Sequence, residues 1–166
     1  KFEGKGAATG FGEAEWLSTL ANALKMGPYL DKNLAVLDKN DPEKKIGFYI
    51  DEWGTWYDDD PALARSGMLY QQNTLRDALV AALHFNQFHA RAERVRMTNI
   101  AQMVNVLQAM VLADKDRMVL TPTYHVFRMH VPFQGATALP TSIAGNPDYR
   151  HGGASIPALN ASAVRG

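Results

Sequence analysis

Residues 46–57 read IGFYIDEWGTWY, and this stretch decides the fold class of the chain. Its first five residues form an uninterrupted apolar run, which is typical of a strand buried on both faces in a parallel sheet. Gly54 allows a turn soon afterwards. A turn does not require two acids and three large aromatic side chains, yet this one has Asp51, Glu52, Trp53, Trp56 and Tyr57. The stretch therefore predicts a parallel strand that ends in a polar site.

The composition indicates one ordinary globular unit. The chain has 166 residues, 46% of them hydrophobic, with 17 Lys plus Arg balanced by 17 Asp plus Glu. Nucleic-acid binders usually carry a basic excess, so the absence of net charge argues against a nucleic-acid partner. No apolar run is long enough to cross a membrane. Cysteine is absent, which excludes disulfides and thiolate chemistry and fits a reducing compartment, so we expect a cytoplasmic protein.

The two ends of the sequence suggest a piece of a longer protein. The chain begins with Lys1, and the first residues lack the apolar core of a signal peptide. It stops inside an alternating, strand-like stretch. We therefore expect truncation at both ends, which leaves export of the full protein open.

Hydrophobic periodicity predicts alternating helices and strands. One helix begins at Glu13 and is ended by Gly27–Pro28, and a second covers 30–37. A third is capped by Asn73 or Thr74, with Asp77 in its first turn and an apolar stripe at Leu75, Leu79, Ala82 and Leu83. The sequence VRMTNI at 95–100 predicts a second strand. Helices that alternate with strands indicate βα units and a parallel sheet, hence an α/β fold.

The texture of the chain changes after residue 116. Residues 121–133 predict a short connecting helix, and Pro- and Gly-punctuated segments from Thr137 onward resemble β-sandwich strands. We place a domain boundary near 130–136, giving units at 1–132 and 133–166.

Glu52 is the candidate catalytic residue. Side chains alternate along a strand, so Glu52 is expected to share a direction with Ile50 and Phe48, while Asp51 points the other way. Ligands of parallel α/β folds bind at the carboxyl ends of strands. A carboxylate held there can act as a nucleophile, acid or base, and neighbouring aromatic rings suit sugars. The alternative is structural: the acids cap a turn and the Trp residues fill the core.

The second strand ends in TNIAQ, which places Asn99 and Gln102 near the same edge. An amide can donate to and accept from a sugar hydroxyl. The competing interpretation is that both are ordinary strand-end and loop residues.

The histidines give no metal motif. The sequence has five of them and no HExxH pattern, and His84 and His89 are five apart, so they do not share a helix face. We interpret them as structural or surface residues and expect neither a metal nor a cofactor.

Four segments together resemble glycoside hydrolase family 51, the α-L-arabinofuranosidases. They are IGFYIDEWGTWYDDDP, LYQQNTLRDALVAALHFNQFH, RAERVRMTNIAQMVNVLQAM and DKDRMVLTPTYHVFRMH, and the resemblance covers roughly 7–140. It implies the C-terminal part of a (β/α)8 TIM barrel, with the seventh and eighth strands present, followed by the beginning of a β-sandwich. Glu52 falls on the family's nucleophile, Trp56 on an aromatic of the arabinofuranose pocket and Gln102 on a glutamine near the nucleophile. We add Asn99 and Trp53 to the expected substrate-binding set.

The implied reaction is retaining hydrolysis, which needs a second carboxyl group about 5–5.5 Å from the nucleophile. No acid of this chain suits that role. The family keeps its acid/base glutamate in a Gly-Asn-Glu motif on the fourth strand and a pocket tyrosine on the sixth, both expected upstream of Lys1. We therefore expect the chain alone to be inactive, its full-length protein to act on arabinofuranosyl glycans, and that protein to form a homo-oligomer.

Three other interpretations remain open. The chain could belong to another retaining barrel glycosidase, since a nucleophile on the seventh strand is widely shared. It could be a non-catalytic carbohydrate-binding domain in which Trp53 and Trp56 stack on glycan. It could also be a structural α/β fragment. The sequence does not identify the natural glycan.

Overall fold

Two parallel strands and the helix between them form the centre of the fold. In the computed structural model, which describes residues 6–62 and 69–166, β1 spans Phe48–Trp53 and β2 spans Val95–Ile100. They pair in parallel, with Phe48 opposite Val95 and Trp53 opposite Ile100. Helix α3, Leu75–His89, connects them. This βαβ unit confirms the parallel strands that the sequence predicted.

Three further helices complete the helical layer. They are α1 at Glu13–Leu24, α2 at Met26–Asn40 and α4 at Pro122–Met129, the last followed by a short 3-10 turn at Val131–Phe133. The prediction that Gly27–Pro28 would end a helix is wrong, because the break falls at Lys25 and both residues lie in the first turn of α2. Proline is tolerated there, since the first turn of a helix does not use its backbone N–H.

A capping box starts α3. The Thr74 hydroxyl accepts a hydrogen bond from the backbone N–H of Arg76, and Asp77 accepts one from the backbone N–H of Thr74 at 2.7 Å. This confirms Thr74 as the cap. The predicted apolar stripe is wrong at two positions, because Leu75 is 69% exposed and Leu79 is also exposed. The buried face instead includes the polar residues Asp77, His84 and Gln87, and hydrogen bonds compensate for their burial.

Three antiparallel pairs follow the parallel unit. Hairpin strands β3 and β4 span Val111–Asp114 and Arg117–Leu120. Strands β5 (Thr137–Leu139) and β8 (Ala163–Arg165) pair with each other, as do β6 (Asp148–His151) and β7 (Ala154–Pro157). Strands therefore occur where the sandwich-like segments were predicted, whereas the hairpin was not predicted. The boundary at 132/133 stays a prediction.

Two apolar clusters hold these layers together. One lies between the parallel pair and the helices and contains Leu30, Leu34, Ile50, Trp53, Ala78, Ala81, Phe88, Val95 and Val126. The other joins α1 and α3 to β7 and contains Leu17, Leu20, Ala23, Val80 and Ile156. Burial of such side chains supplies most of the free energy that opposes chain entropy.

The helices cover one face of the parallel pair. On the other face Tyr49 is 54% exposed and Met97, its partner across the pair, is 46% exposed. The expectation that the first strand is buried on both faces is therefore wrong for this chain. Two large apolar side chains paired on an open sheet face leave a surface that further structure could cover.

Candidate active site

Glu52 lies at the carboxyl end of β1, where the strand is irregular. Ile50 pairs with Thr98 and Trp53 with Ile100, so three steps along β1 match two along β2. This register shift is a local irregularity of the pairing, and it breaks the alternation of side chains. Ile50 and Trp53 are buried, whereas Asp51 and Glu52 are both exposed. The expectation that Glu52 shares its direction with Ile50, opposite Asp51, is therefore wrong.

Trp53 belongs to the core. Its indole stacks with His84 at 5.1 Å and with Phe127 at 6.0 Å between ring centroids, and Phe85 and Phe88 meet it edge-on. Only 4% of the residue is exposed. An indole covered in this way has no face available for a sugar, so the expectation that Trp53 contacts substrate is wrong. The structural alternative, a Trp that fills the core, is correct at this position.

Trp56 and Tyr57 differ in their surroundings. Trp56 is half-buried in the segment that follows β1, whereas Tyr57 is 3% exposed. The Tyr57 ring lies 4.0 Å from the Arg76 guanidinium, whose other ring contact, to Phe11, is 3.7 Å. Burial and the nearby Asp77 carboxylate raise the pKa of the Tyr57 phenol. The Tyr57 phenol is therefore neutral and its ring is buried. Trp56 is the aromatic of this segment that remains partly accessible.

The segment after β2 lies beside the segment after β1. The backbone N–H of Ala101 donates to the Trp53 carbonyl at 2.9 Å, which carries the pairing one residue past β2. Asn99 is exposed within β2, and Gln102 is exposed just beyond it. Because parallel strands end at the same edge, the structure brings Glu52, Asn99 and Gln102 to one edge of the fold. Their contact with a substrate stays a prediction.

A buried polar network lies beneath the segment after β1. The Thr55 hydroxyl donates to the Asp77 carboxylate at 2.6 Å, and Gln71 accepts from the backbone N–H of Tyr57 at 3.0 Å. Gln108 accepts from the backbone N–H of Thr55 at 2.9 Å. Sequence reasoning gave Gln71 and Gln108 no role in the site. A signal was available for Gln108, because this amide interrupts the apolar run VNVLQAMVL.

Several other acids of the described residues lie away from Glu52 or on exposed loops. Glu93 pairs with Lys44. Lys44 lies before β1 and Glu93 lies before β2. Glu43 pairs with Lys45, and Glu13 accepts a hydrogen bond from the Tyr149 phenol. Asp58, Asp59 and Asp60 are exposed beside a cavity of about 240 Å³. Glu43 and Glu93 therefore lie at the edge of the parallel pair opposite Glu52, and the location of the partner carboxyl stays a prediction.

Residues 6–62 and 69–166 contain neither a candidate metal cluster nor a candidate membrane-spanning helix. Within those ranges, no three His, Cys, Asp or Glu side chains are grouped so as to hold a metal ion. In the same part of the chain, none of the helices has the length and apolar character needed to cross a membrane.

Comparisons with known proteins identify the family. The fold is α/β, with an acid and amides at the carboxyl edge of a parallel pair, as in many enzymes with parallel strands. A model of the α-L-arabinofuranosidase C-terminal domain matches residues 51–163. The chain belongs to this family and corresponds to the C-terminal part of glycoside hydrolase family 51 arabinofuranosidases.

Individual relatives agree with this assignment. An intracellular exo-α-L-arabinofuranosidase from Bacteroides ovatus is 44% identical over 161 residues, which cover 97% of this chain and 31% of that protein. A family 51 arabinofuranosidase from Xanthomonas axonopodis pv. citri is 53% identical with a TM-score of 0.93, over 99% of this chain and 33% of that one. A family 51 arabinofuranosidase from Bifidobacterium longum is 23% identical with a TM-score of 0.74, over 91% of this chain and 32% of that one. It shows the same fold. The chain thus spans about a third of these relatives' length.

Proposed function

We propose that this chain is the nucleophile-bearing part of a retaining arabinofuranosidase, an enzyme that removes α-L-arabinofuranosyl residues from glycans. The observation that carries the proposal is the exposed Glu52 at the end of β1, next to the segments that hold Trp56 and Gln102. The 44% identity to an enzyme named an exo-α-L-arabinofuranosidase supports this substrate class. That relative is also named intracellular, which supports a cytoplasmic location.

Strands β1 and β2 are, in this proposal, the seventh and eighth strands of a (β/α)8 barrel. The parallel pairing and the connecting helix support it. The open sheet face with Tyr49 and Met97 would then face the barrel interior. Strands β5 to β8 would begin the sandwich after residue 132. Residues 1–132 and 133–166 would thus divide between the two domains, and the full-length protein would form a homo-oligomer.

The proposed reaction has two steps. The ionised Glu52 carboxylate attacks the anomeric carbon of the arabinofuranosyl unit, and the glycosidic bond breaks as a partner carboxyl protonates the leaving oxygen. The partner then takes a proton from water, which attacks the same carbon and releases arabinose and free Glu52. Each step inverts the anomeric centre, so the configuration is retained overall.

The remaining candidates would bind the sugar. Gln102 can both donate to and accept from a hydroxyl, and Asn99 offers the same chemistry from β2. Trp56 would present its ring to the apolar C–H face of the sugar. The partner carboxyl would come from the Gly-Asn-Glu motif expected before Lys1, since the glutamates at 43 and 93 precede the strands, at the edge opposite Glu52.

Replacement of the nucleophile in the full-length protein tests the proposal. Glu52→Gln should abolish release of arabinose from an aryl arabinofuranoside, by at least about 10⁴-fold, because the amide cannot form the covalent intermediate. Glu43→Gln is the matched control, since Glu43 is exposed and paired with the exposed Lys45, and it should keep normal turnover. Thermal melts should show that both variants fold.

An external nucleophile sharpens the result. In Glu52→Gly, azide should occupy the vacated space and restore turnover with formation of a β-arabinofuranosyl azide, since a single displacement inverts the anomeric centre. Near-normal turnover by Glu52→Gln would sink the nucleophile assignment. An α-azide product would instead assign Glu52 to the acid/base role.

A further inference from the structure

Gln108 is a completely buried glutamine that joins three elements of the fold. It is 0% exposed, and its amide oxygen accepts from the backbone N–H of Thr55 at 2.9 Å. Its amide nitrogen donates to the Asp77 carbonyl at 2.7 Å and to the Thr123 hydroxyl at 3.2 Å. The side chain therefore ties the segment after β1 to the first turns of α3 and α4.

The backbone of Gln108 reaches the other half of the site. Its N–H donates to the Ala101 carbonyl at 3.1 Å, and Ala101 directly precedes Gln102. Thr55, held by the side chain, directly precedes Trp56. One residue is thus bonded to the immediate neighbours of two proposed sugar-binding residues, on two different segments.

Packing at Gly54 makes this junction tight. Gly54 has φ = +144°, a conformation that L side chains rarely adopt. A Cβ added there would lie 3.3 Å from the amide oxygen of Gln108 and 3.4 Å from its Cβ. The turn after Glu52 therefore packs against the Gln108 side chain and is also hydrogen-bonded to it through Thr55.

We propose that Gln108 is a positioning residue that sets the placement of Trp56 relative to Gln102. The inference rests on the proposed function, because it concerns how the same sugar site is built. Glutamine suits the position because it supplies an acceptor for Thr55 and two donors for Asp77 and Thr123. A side chain that lacks either capacity leaves buried polar groups without partners.

A matched control lies elsewhere in the fold. Gln87 is also buried, accepts from the Gly27 N–H at 2.6 Å and donates to the carbonyls of Ala23 and Leu83 at 3.1 and 3.0 Å. Its bonds join α1, α2 and α3 and include none to the segments after β1 and β2. Gln87→Met therefore removes the same chemistry from a purely structural place.

The test uses the full-length protein and measures binding as well as turnover. Both Gln108→Met and Gln87→Met should lower the melting temperature. Only Gln108→Met should raise KM for an aryl arabinofuranoside and the inhibition constant of free L-arabinose, each by about tenfold or more. Gln87→Met should change both constants less than about twofold. Equal constants in the two variants would overturn the inference.

A double-mutant cycle with Trp56→Ala identifies the route of the effect. If Gln108 acts through Trp56, most of the loss in arabinose affinity caused by Gln108→Met should disappear in the Trp56→Ala background, because coupled residues are not additive. Full additivity would overturn the inference. Should Gln108→Met fail to fold, Gln108→Glu keeps the acceptor for Thr55 and should retain more arabinose affinity than a Thr55→Pro variant, which removes that N–H.

The inference and the proposed function fail in different ways. A full-length wild-type protein that neither binds arabinose nor cleaves arabinofuranosides overturns the proposed function. A wild-type protein that does both, with a Gln108→Met variant indistinguishable from Gln87→Met in its constants, overturns the inference alone.

Discussion

The Thr55 hydroxyl lies 2.6 Å from the Asp77 carboxylate, to which it donates a hydrogen bond. The same carboxylate accepts from the backbone N–H of Thr74, so Asp77 caps α3 with one oxygen and holds the segment after β1 with the other. Helix capping and site geometry therefore depend on one buried side chain.

Replacement of Asp77 by asparagine should destabilise the protein. The amide keeps the shape but has one acceptor oxygen, so either Thr55 or the Thr74 N–H loses its partner. We expect a loss of about 1–3 kcal/mol in the free energy of unfolding, measured by urea denaturation of the full-length protein. Asp114→Asn is the control, because its ion pair with Arg117 is exposed, and it should change stability by less than about 0.5 kcal/mol. Equal effects of the two substitutions would contradict the prediction.

Trp53 should tolerate phenylalanine better than alanine. Trp53→Ala opens a cavity among four aromatic rings and should cost about 3–5 kcal/mol. Trp53→Phe keeps much of the packing, and within the described part of the chain the indole N–H has no hydrogen-bond partner to lose. Thermal melts of both variants check the order. A Trp53→Ala variant as stable as the wild type would remove Trp53 from the core.

Acidification should weaken the contact between α3 and the C-terminal segment. His89 accepts or donates a 2.8 Å hydrogen bond with Ser162, and burial together with the neighbouring His130 lowers the pKa of His89 to about 4. The folded-state pKa lies below the unfolded value near 6.5, so the unfolded chain binds a proton that the folded chain does not. Stability is complete above about pH 6.5 and falls as the pH approaches 4, by about 2 kcal/mol after solvent screening of a half-buried group.

Melting temperatures of the full-length protein between pH 7 and 4 test this dependence. His89→Gln should flatten the profile, whereas His125→Gln should not, since His125 is exposed. An unchanged slope in His89→Gln would assign the acid sensitivity to other groups, among which His84 is the first candidate because burial lowers its pKa too.

The 166-residue chain on its own should not hydrolyse arabinofuranosides. Retaining hydrolysis needs two carboxyl groups, and Glu43 and Glu93 precede the two parallel strands, at the edge opposite Glu52. An assay of the isolated chain with an aryl arabinofuranoside, beside the full-length protein, checks this. Measurable turnover by the chain alone would place the acid/base within it.

Sequence periodicity located the two parallel strands and most helices, but it missed the β3–β4 hairpin and misjudged the buried face of α3. The strand at 95–100 and the cap at Thr74 were predictable because both depend on local chemistry. The faces of α3 were not, because Asp77 bonds to Thr55 and His84 stacks on Trp53, contacts that periodicity does not reveal. Hydrophobic periodicity identifies buried apolar residues. It does not identify polar residues that are buried because tertiary contacts satisfy them.

The candidate site shows the same limit. The position of Glu52 at a strand end followed from the sequence, but the register shift beside it did not, since irregular pairing leaves no mark in the sequence pattern. Trp53 was expected to contact substrate and is buried instead. Gln108 lies more than fifty positions after Glu52 in the chain, and only the folded structure brings it beneath the turn.

The irregular pairing at the end of β1 has a consequence for how mutations at neighbouring positions would be interpreted. Glu52 and Trp53 share a peptide bond, yet one side chain meets solvent and the other is surrounded by aromatic rings. In a saturation scan scored for both cellular abundance and catalytic rate, both positions would look intolerant by rate. Only Trp53 substitutions would also lower abundance. Two adjacent residues would thus lose activity for different reasons, Glu52 through lost chemistry and Trp53 through lost stability.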